Sequence, residues 1–203
     1  YNVYTLEHTS LAHLSPFDLP ASHSFFSDIT DFDDLDTLLL PPLDAVFHLA
    51  GQSSGPKSFL IPDKDLRLNA LGTLNIIKLC HKFSILRLLF ASSFVVYGRH
   101  ESLLLSEDLA VNPVSVYASS KLYAENLLSS YAQPLGIKWN SLRMFNVYGP
   151  GQDITNPDQG IVGIFLNQLL SSPEVVVKGT TTRTRDLVYI DDVVSAWLHV
   201  FRS

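Results

Sequence analysis

Six short apolar runs, none alternating strictly between apolar and polar residues, constrain this chain most. They are Val3–Leu6, Ala45–Ala50, Leu86–Ser93, Asn140–Phe145, Val175–Lys178 and Leu187–Ile190. A strand buried on one face alternates, whereas a strand covered on both faces reads as a continuous apolar run, so the pattern predicts a parallel sheet with helices on each side. The segments between the runs carry the helical period. Leu68, Gly72, Ile76, Leu79 and Phe83 recur at steps of 4, 4, 3 and 4, which puts them on one helix face. A second helix is expected from Ser115 to Ala132, closed by Pro134, which cannot continue a helix, and Gly136, which suits a left-handed cap. Asp31 is placed to cap a helix start within the Asp-rich run 28–36, its neighbours favoured by the helix dipole. A further helix follows the run at 187–190. Strands alternating with helices make an α/β, doubly wound parallel sheet. Ser102 to Pro113 reads as a loop, and the Gly-, Pro-, Asn- and Asp-dense stretch Gly149 to Gly160 as the place where the chain leaves the sheet.

Composition narrows the function classes. With 203 residues, 46% of them hydrophobic and 17% charged, the chain is neither a disordered tail nor a coiled coil. A formal net charge of −6 supplies no basic excess to neutralise phosphates, so no nucleic-acid partner is expected. The single cysteine, Cys80, excludes an internal disulfide and reads as a buried small hydrophobe. No apolar run approaches the ~20 residues of a membrane span. The best candidate, Ile85 to Tyr97, is broken by Arg87, Ser92 and Ser93, so no membrane partner and a cytoplasmic location are expected. The seven histidines include no His-x-x-x-His pair, so no metal site is assigned. Residue 1 is Tyr and the only Met is Met144, so the chain is expected to be a piece of a longer one.

The segment richest in chemistry is Tyr117-Ala118-Ser119-Ser120-Lys121. Positions i and i+4 of a helix share a face, so a phenol and an ammonium become neighbours. A free Tyr has a pKa of about 10 and is a poor base at neutral pH. A nearby Lys cation is expected to favour phenolate and lower that pKa. Taken alone the spacing also fits a surface pair on a helix. Upstream, Leu88 to Ser93 is expected to be a buried strand whose carboxyl end, where α/β sheets bind ligands, delivers two hydroxyls. A strand-end Ser beside a helical Tyr-x-x-x-Lys is a complete proton-transfer arrangement for alcohol/ketone chemistry.

These segments, with Ser27-Asp28-Ile29-Thr30-Asp31, His48-Leu49-Ala50-Gly51-Gln52, Asn69 to Asn75, Val96-Tyr97-Gly98, Leu142 to Pro150 and Arg185 to Asp192, stand in the order of a known family. The chain resembles the extended short-chain dehydrogenases/reductases, the NAD-dependent nucleotide-sugar epimerases and dehydratases, and UDP-glucose 4-epimerase-like members in particular. The resemblance implies a Rossmann-like sheet, NAD as cofactor and the following roles. Tyr117 is the catalytic acid/base, Lys121 tunes it and holds the nicotinamide ribose, and Ser93 is the catalytic Ser/Thr, also touching substrate. Asp28 and Ile29 match the pair at the adenine. Leu49, Ala50, Gly51 and Gln52 match the loop along the cofactor diphosphate and ribose. Asn69 and Phe145 support the cofactor side. Asn146 and Arg185 match residues on the substrate's diphosphate or sugar. Arg suits phosphate because its fork bonds two oxygens at once. Asn146 is also a candidate for satisfying strand-end backbone groups, and Arg185 for a surface ion pair with Asp186 or Asp191. His48 reads as a core histidine, and Tyr97 and Tyr148 as packing residues.

Three departures shape the expectation. The family's Gly-rich turn after its first strand is absent, so the chain is expected to begin at the second strand, truncated at its N-terminus, and to bind NAD poorly by itself. Glu7 then falls where an acidic residue holds the adenosine ribose, favouring NAD over NADP. Phe94 and Val95 follow Ser93 where dehydratases and decarboxylases of the family carry an acidic residue, which disfavours elimination. The chain also ends at Ser203, while family members continue. The expected organisation is a Rossmann-like domain over 1–148 and part of a substrate-binding region over 149–203. The leading expectation is C4 epimerisation of a nucleotide sugar, most simply a UDP-sugar, through a transient 4-keto sugar, in a protein that forms homodimers when whole. A reductase or dehydrogenase on a sugar nucleotide or another alcohol, and a non-catalytic dinucleotide-binding protein, are the alternatives.

Overall fold

The computed structural model describes residues 2–8, 23–100, 104–157, 160–177, 179–182 and 184–203. Its centre is a three-stranded parallel sheet. Strand β3 (Val46–His48) pairs with β4 (Arg87–Ser93), and β4 with β5 (Lys138–Met144), in the order β3-β4-β5. Two further parallel pairs flank it, β1 (Thr5–Glu7) with β2 (Ser24–Phe26), and β6 (Asn146–Tyr148) with β7 (Leu187–Tyr189). Six of the seven residues of β4 are buried, which accounts for its unbroken apolar reading as the strand covered on both faces.

Helices cover both faces of this sheet. On one side, α4 (Gly72–Lys82), α5 (Val116–Leu127) and the turn after it bury Ile76, Ile77, Leu79, Cys80, Ala124 and Leu128 against Leu88 and Phe90. On the other, α7 (Ile190–Arg202) packs Val193 and Trp197 on Leu89 and Ala91. Alternate residues of β4 therefore feed the two cores, as side chains of a strand must. Between the strands the chain also forms α1 (Phe32–Asp36), α2 (Gly55–Leu60), α3 (Pro62–Leu66) and α6 (Ile161–Ser171).

Local signals are met where a cap or a breaker dictates them. Asp31 caps α1 by accepting from the amides of Asp33 and Asp34. Past α5 the chain runs through a π turn (Leu128–Ala132) and a 3₁₀ turn (Gln133–Leu135), then stops at Gly136 with φ +78°. The face predicted from Leu68 to Phe83 is present, but α4 is entered through a second π turn, Arg67–Leu71. The expected strand at Val175–Lys178 does not form at 175–177, and Lys178 lies outside the described residues. Val176 and Val177 are exposed, and the Val176 amide donates to the Gln168 side chain instead of to a strand. The short strands β2 and β6 were not expected. Loop 104–113 and the described part of 149–160 are irregular, as their composition implies; residues 101–103 and 158–159 lie outside the described set.

Candidate functional site

The carboxyl end of β4 delivers Ser92 and Ser93, and the register fixes what stands beside them. Ser93 is opposite Met144, so Phe145 and Asn146 leave β5 next to it. His48 is opposite Phe90, so the loop 49–52 leaves β3 on its other side. A 3₁₀ turn (Phe94–Tyr97) follows Ser93 at once and ends at Gly98, whose φ is +71°. A Cβ at Gly98 would overlap the Asn112 carbonyl oxygen, so only glycine brings these two backbones so close. Helix α5 then starts from Ser115, which caps it by accepting from the Ala118 amide at 3.1 Å.

Tyr117 and Lys121 share the inward face of α5, 8% and 4% exposed. Lys121 Nζ donates to the Ala91 carbonyl at 2.9 Å and lies 4.8 Å above the centre of the Phe90 ring. Burial pushes the Lys121 ammonium down to about 8, with the Asp65 carboxylate working against that fall. Tyr117 corrects the expectation of a lowered phenol. Its burial holds it above the ordinary value, the hydrogen bond with Ser93 acts the other way, and the Asp65 charge adds to the rise. Desolvation of the phenolate outweighs the hydrogen bond from Ser93.

The loop after β3 is held by a closed set of buried polar groups. Gln52 and Asn69 exchange two hydrogen bonds: the Gln52 amide donates to Asn69 Oδ1 at 3.0 Å, and Asn69 Nδ2 donates to the Gln52 carbonyl at 3.1 Å. Asn69 Nδ2 also donates to Ser120 Oγ at 3.0 Å, next to Lys121 on α5. Gln52 folds over its own loop, its side chain accepting from the Ser54 amide and donating to the Ser54 carbonyl at 2.9 Å. The π turn Arg67–Leu71 is what turns Asn69 toward this loop. Gly51 has φ +154°, and a Cβ there would overlap Asn69 Oδ1 and stand 3.4 Å from Lys121 Nζ. Leu49, Ala50 and Gly51 stay exposed while Gln52 is buried. His48 is a core residue: its Nε2 is 3.0 Å from Thr73 Oγ1, and burial, with Lys121 nearby, pushes it down to about 3.

The remaining expected residues fall at three places. Glu7 ends β1, and its carbonyl accepts from the Ser27 amide at 2.9 Å. Asp28 and Ile29 follow β2. Burial opposes ionisation of Asp28, but hydrogen bonds from Thr30 and the nearby His8 hold it below the usual carboxylate range. Ile29 belongs to the core, and its carbonyl accepts from Asn75 Nδ2 at 2.9 Å. Phe145 stacks on Phe94, ring centres 4.8 Å apart and nearly parallel. Asn146 straps β6 to β7, its Nδ2 donating to the Asp186 carbonyl at 2.9 Å, and Arg185, which donates to the Thr184 carbonyl at 3.0 Å, adjoins that strap. The structure thus joins Ser93, Tyr117, Lys121, Gly51, Gln52 and Asn69 in one cluster and puts Asn146 with Arg185 on the neighbouring strand pair. Tyr97 is buried beneath the Arg143 guanidinium, 4.8 Å from its ring centre.

Sequence reasoning missed four members of this region: Asp65, Ser120, Glu125 and Arg143. Glu125 is one turn past Lys121, so the helical period that linked Tyr117 to Lys121 would have found it. Arg143 forks onto Glu125, Nη2 to Oε2 at 2.7 Å and Nε to Oε1 at 3.0 Å, while Ser92 Oγ donates to Oε1 at 2.5 Å. Among the described residues, no group of three or more His, Cys, Asp or Glu is placed to hold a metal ion. No helix among them is long and apolar enough to cross a membrane.

Known proteins resemble the chain in sequence and in fold. UDP-glucose 4-epimerase of Mycolicibacterium smegmatis is 34% identical over 173 residues, 85% of this chain and 55% of that protein. The structure of UDP-N-acetylglucosamine 4-epimerase from Methanobrevibacter ruminantium M1, in complex with UDP-N-acetylmuramic acid, matches at a TM-score of 0.88 and 28% identity, over 100% of this chain and 66% of that one. The Thermus thermophilus UDP-glucose 4-epimerase in complex with NAD matches at a TM-score of 0.78 and 33% identity, over 91% of this chain and 62% of that one. The chain therefore spans between 55% and 66% of the length of these three proteins. A family model described as the NAD dependent epimerase/dehydratase family matches residues 1–203, every position of the chain, and it is to this family that the chain belongs.

Proposed function

We propose that the protein is a nucleotide-sugar 4-epimerase, acting on a UDP-sugar with NAD as cofactor. The observation that carries this reading is the cluster of Ser93, Tyr117 and Lys121 at the carboxyl end of β4, with the two titratable groups almost wholly buried. Phe94 and Val95 supply the second half of the argument. The stacked Phe94 and Phe145 rings offer an apolar wall with no group able to move a proton, which suits oxidation and reduction at one carbon better than elimination.

The residues fit a dinucleotide on one structural test. At Gly51 a side chain has no room, and the exposed backbone of 49–51 beside Lys121 leaves space for a phosphate or ribose to lie against it. Leu49 to Gln52, Asn69, Lys121, Phe145 and the strand-end residues Glu7, Asp28 and Ile29 would hold NAD, which when bound accepts a hydride from C4 and returns it to the opposite face. Tyr117 Oη, as the phenolate left after its own proton has gone to solvent, takes the C4 hydroxyl proton and later gives it back. Ser93 Oγ orients the hydroxyl and eases proton loss from the phenol. A cation at Lys121 Nζ works in the same direction by Coulomb attraction. Asn146 and Arg185 receive the substrate's diphosphate. The division into 1–148 and 149–203, the cytoplasm as compartment and a homodimer belong to the same reading. Phe59, Leu60, Leu66, Tyr123 and Tyr131 are exposed on α2, α3, α5 and the turn after it, and would face a second copy.

The test uses the intact protein with UDP-glucose and UDP-galactose. Interconversion without consumption of added NADH is expected, and Tyr117→Phe should slow it by about two to four orders of magnitude. Interconversion that survives Tyr117→Phe sinks the mechanism, and steady NADH consumption replaces the epimerase with a reductase.

A further inference from the structure

We infer that Asp65 is a positioning residue of the candidate site, a buried carboxylate that holds α5 and the Gln52 loop in register and keeps Lys121 cationic. The inference rests on the reading of Lys121 as a working residue of an NAD-dependent site. Asp65 is wholly buried near the end of α3. Its Oδ1 accepts from Ser120 Oγ at 2.6 Å and its Oδ2 from Gln52 Nε2 at 2.6 Å. Ser120 through its hydroxyl and Gln52 through its backbone are each bonded to the Asn69 side chain, so the four residues close a ring between α3, the π turn, α5 and the loop after β3.

A buried carboxylate is costly to keep, and hydroxyl and amide donors alone hold it less well than a cation would. The described ion pairs are His8–Asp28, Lys82–Asp36 and Arg143–Glu125; Asp65 is in none of them. Its charge instead acts on Lys121 across the ring. Lys121 is faced by Asp65 from α3, by His48 from β3, and by Tyr117 and Glu125 one turn away on either side along its own helix. Glu125 is already bound by Arg143 and Ser92, which leaves Asp65 as the counter-charge acting on Lys121. Asp65 also raises Tyr117, so the same carboxylate favours the pair phenol plus ammonium as the resting state.

Asp65→Asn tests this, because an amide in the same place can accept from Gln52 and donate to Ser120. The readout is the ¹³Cε shift titration of Lys121, assigned by its loss in Lys121→Met, together with the pH profile of kcat. The Lys121 midpoint is expected to fall by about one pH unit, with the kcat limb it controls moving alike. An unmoved midpoint overturns the inference, as does a loss of kcat that is uniform across pH. If Asp65→Asn does not fold, the carboxyl ¹³C shift of Asp65 in the unaltered protein decides: ionised at neutral pH supports the role, protonated refutes it. Absence of epimerisation in the unaltered protein would fail the proposed function alone, since the Lys121 titration needs no substrate.

Discussion

Removing the Arg143 guanidinium should be among the more damaging single changes outside the hydrophobic core. In Arg143→Met the Glu125 carboxylate, whose side chain is 9% exposed, loses both arms of its fork and keeps only the Ser92 hydroxyl. Breaking a fully buried pair costs about 3–5 kcal/mol because the remaining charge is stranded. Arg143 itself is 23% exposed and the Ser92 bond survives, so the lower end, about 3 kcal/mol, applies here. Against a total stability of roughly 5–15 kcal/mol this is a large fraction. With a urea m-value of about 2–3 kcal/mol/M, the unfolding midpoint should drop by about 1 M. Trp139 on β5 and Trp197 on α7 report the transition by fluorescence, on strands and helices that touch the pair's surroundings. The double variant Glu125→Leu with Arg143→Met should recover most of the loss, since an apolar pair of similar volume carries no desolvation cost. A cost below about 1 kcal/mol for Arg143→Met, or a double variant as costly as the two singles added, would refute the reasoning.

Two other changes have outcomes set by the same structure. Gly98→Ala must place a Cβ on the Asn112 carbonyl oxygen at φ +71°, and is expected to cost more than about 2 kcal/mol, seen as a drop of several degrees in the thermal midpoint. Lys121 gives a pH signature. Its folded value of about 8 lies below the ordinary 10.5, so between those values the unfolded chain binds more protons and stability rises with pH. That rise, up to about 3 kcal/mol, should vanish in Lys121→Met when urea unfolding is compared at the two ends of this window. A wild-type slope equal to that of the variant would show that Lys121 is not desolvated as described.

The legible part of this chain is the part ruled by local physics. Continuous apolar runs announced β3, β4 and β5, of which β4 is the one buried along nearly its whole length, the helical period announced α4, and Asp31 and Gly136 announced a start and a stop. Tyr117 and Lys121 were visible because one helix carries both, and Ser93 because a buried strand ends there. Strand β2 was not visible, since three residues, Ser24–Phe26, carry no period and pair only through β1. The run at 175–177 misled for the opposite reason: its residues have strand propensity but no partner among the described residues, and propensity alone does not make a strand. Asp65 and Arg143 were missed because their meaning lies in what they meet across the fold, 55 and 18 residues away in sequence. Asn146 was read both as a substrate contact and as a residue that satisfies strand-end backbone groups; its side-chain amide donates to the Asp186 carbonyl just before β7.

The π turn at Arg67–Leu71 bears on how this segment tolerates changes in length. Such a turn holds one residue more than regular winding, and deleting one residue would let it relax into plain α-helix. Each residue of an α-helix turns the chain by roughly 100°, so the deletion would swing everything before it by about that angle relative to α4. Ile76 and Leu79 would stay in the core while Asp65 left Ser120 and Gln52, giving a protein that folds with its loop after β3 unmoored. Homologous chains that share the ring of Asp65, Gln52, Asn69 and Ser120 are therefore expected to align without gaps from Asp65 to Gly72, even where lengths vary freely on either side.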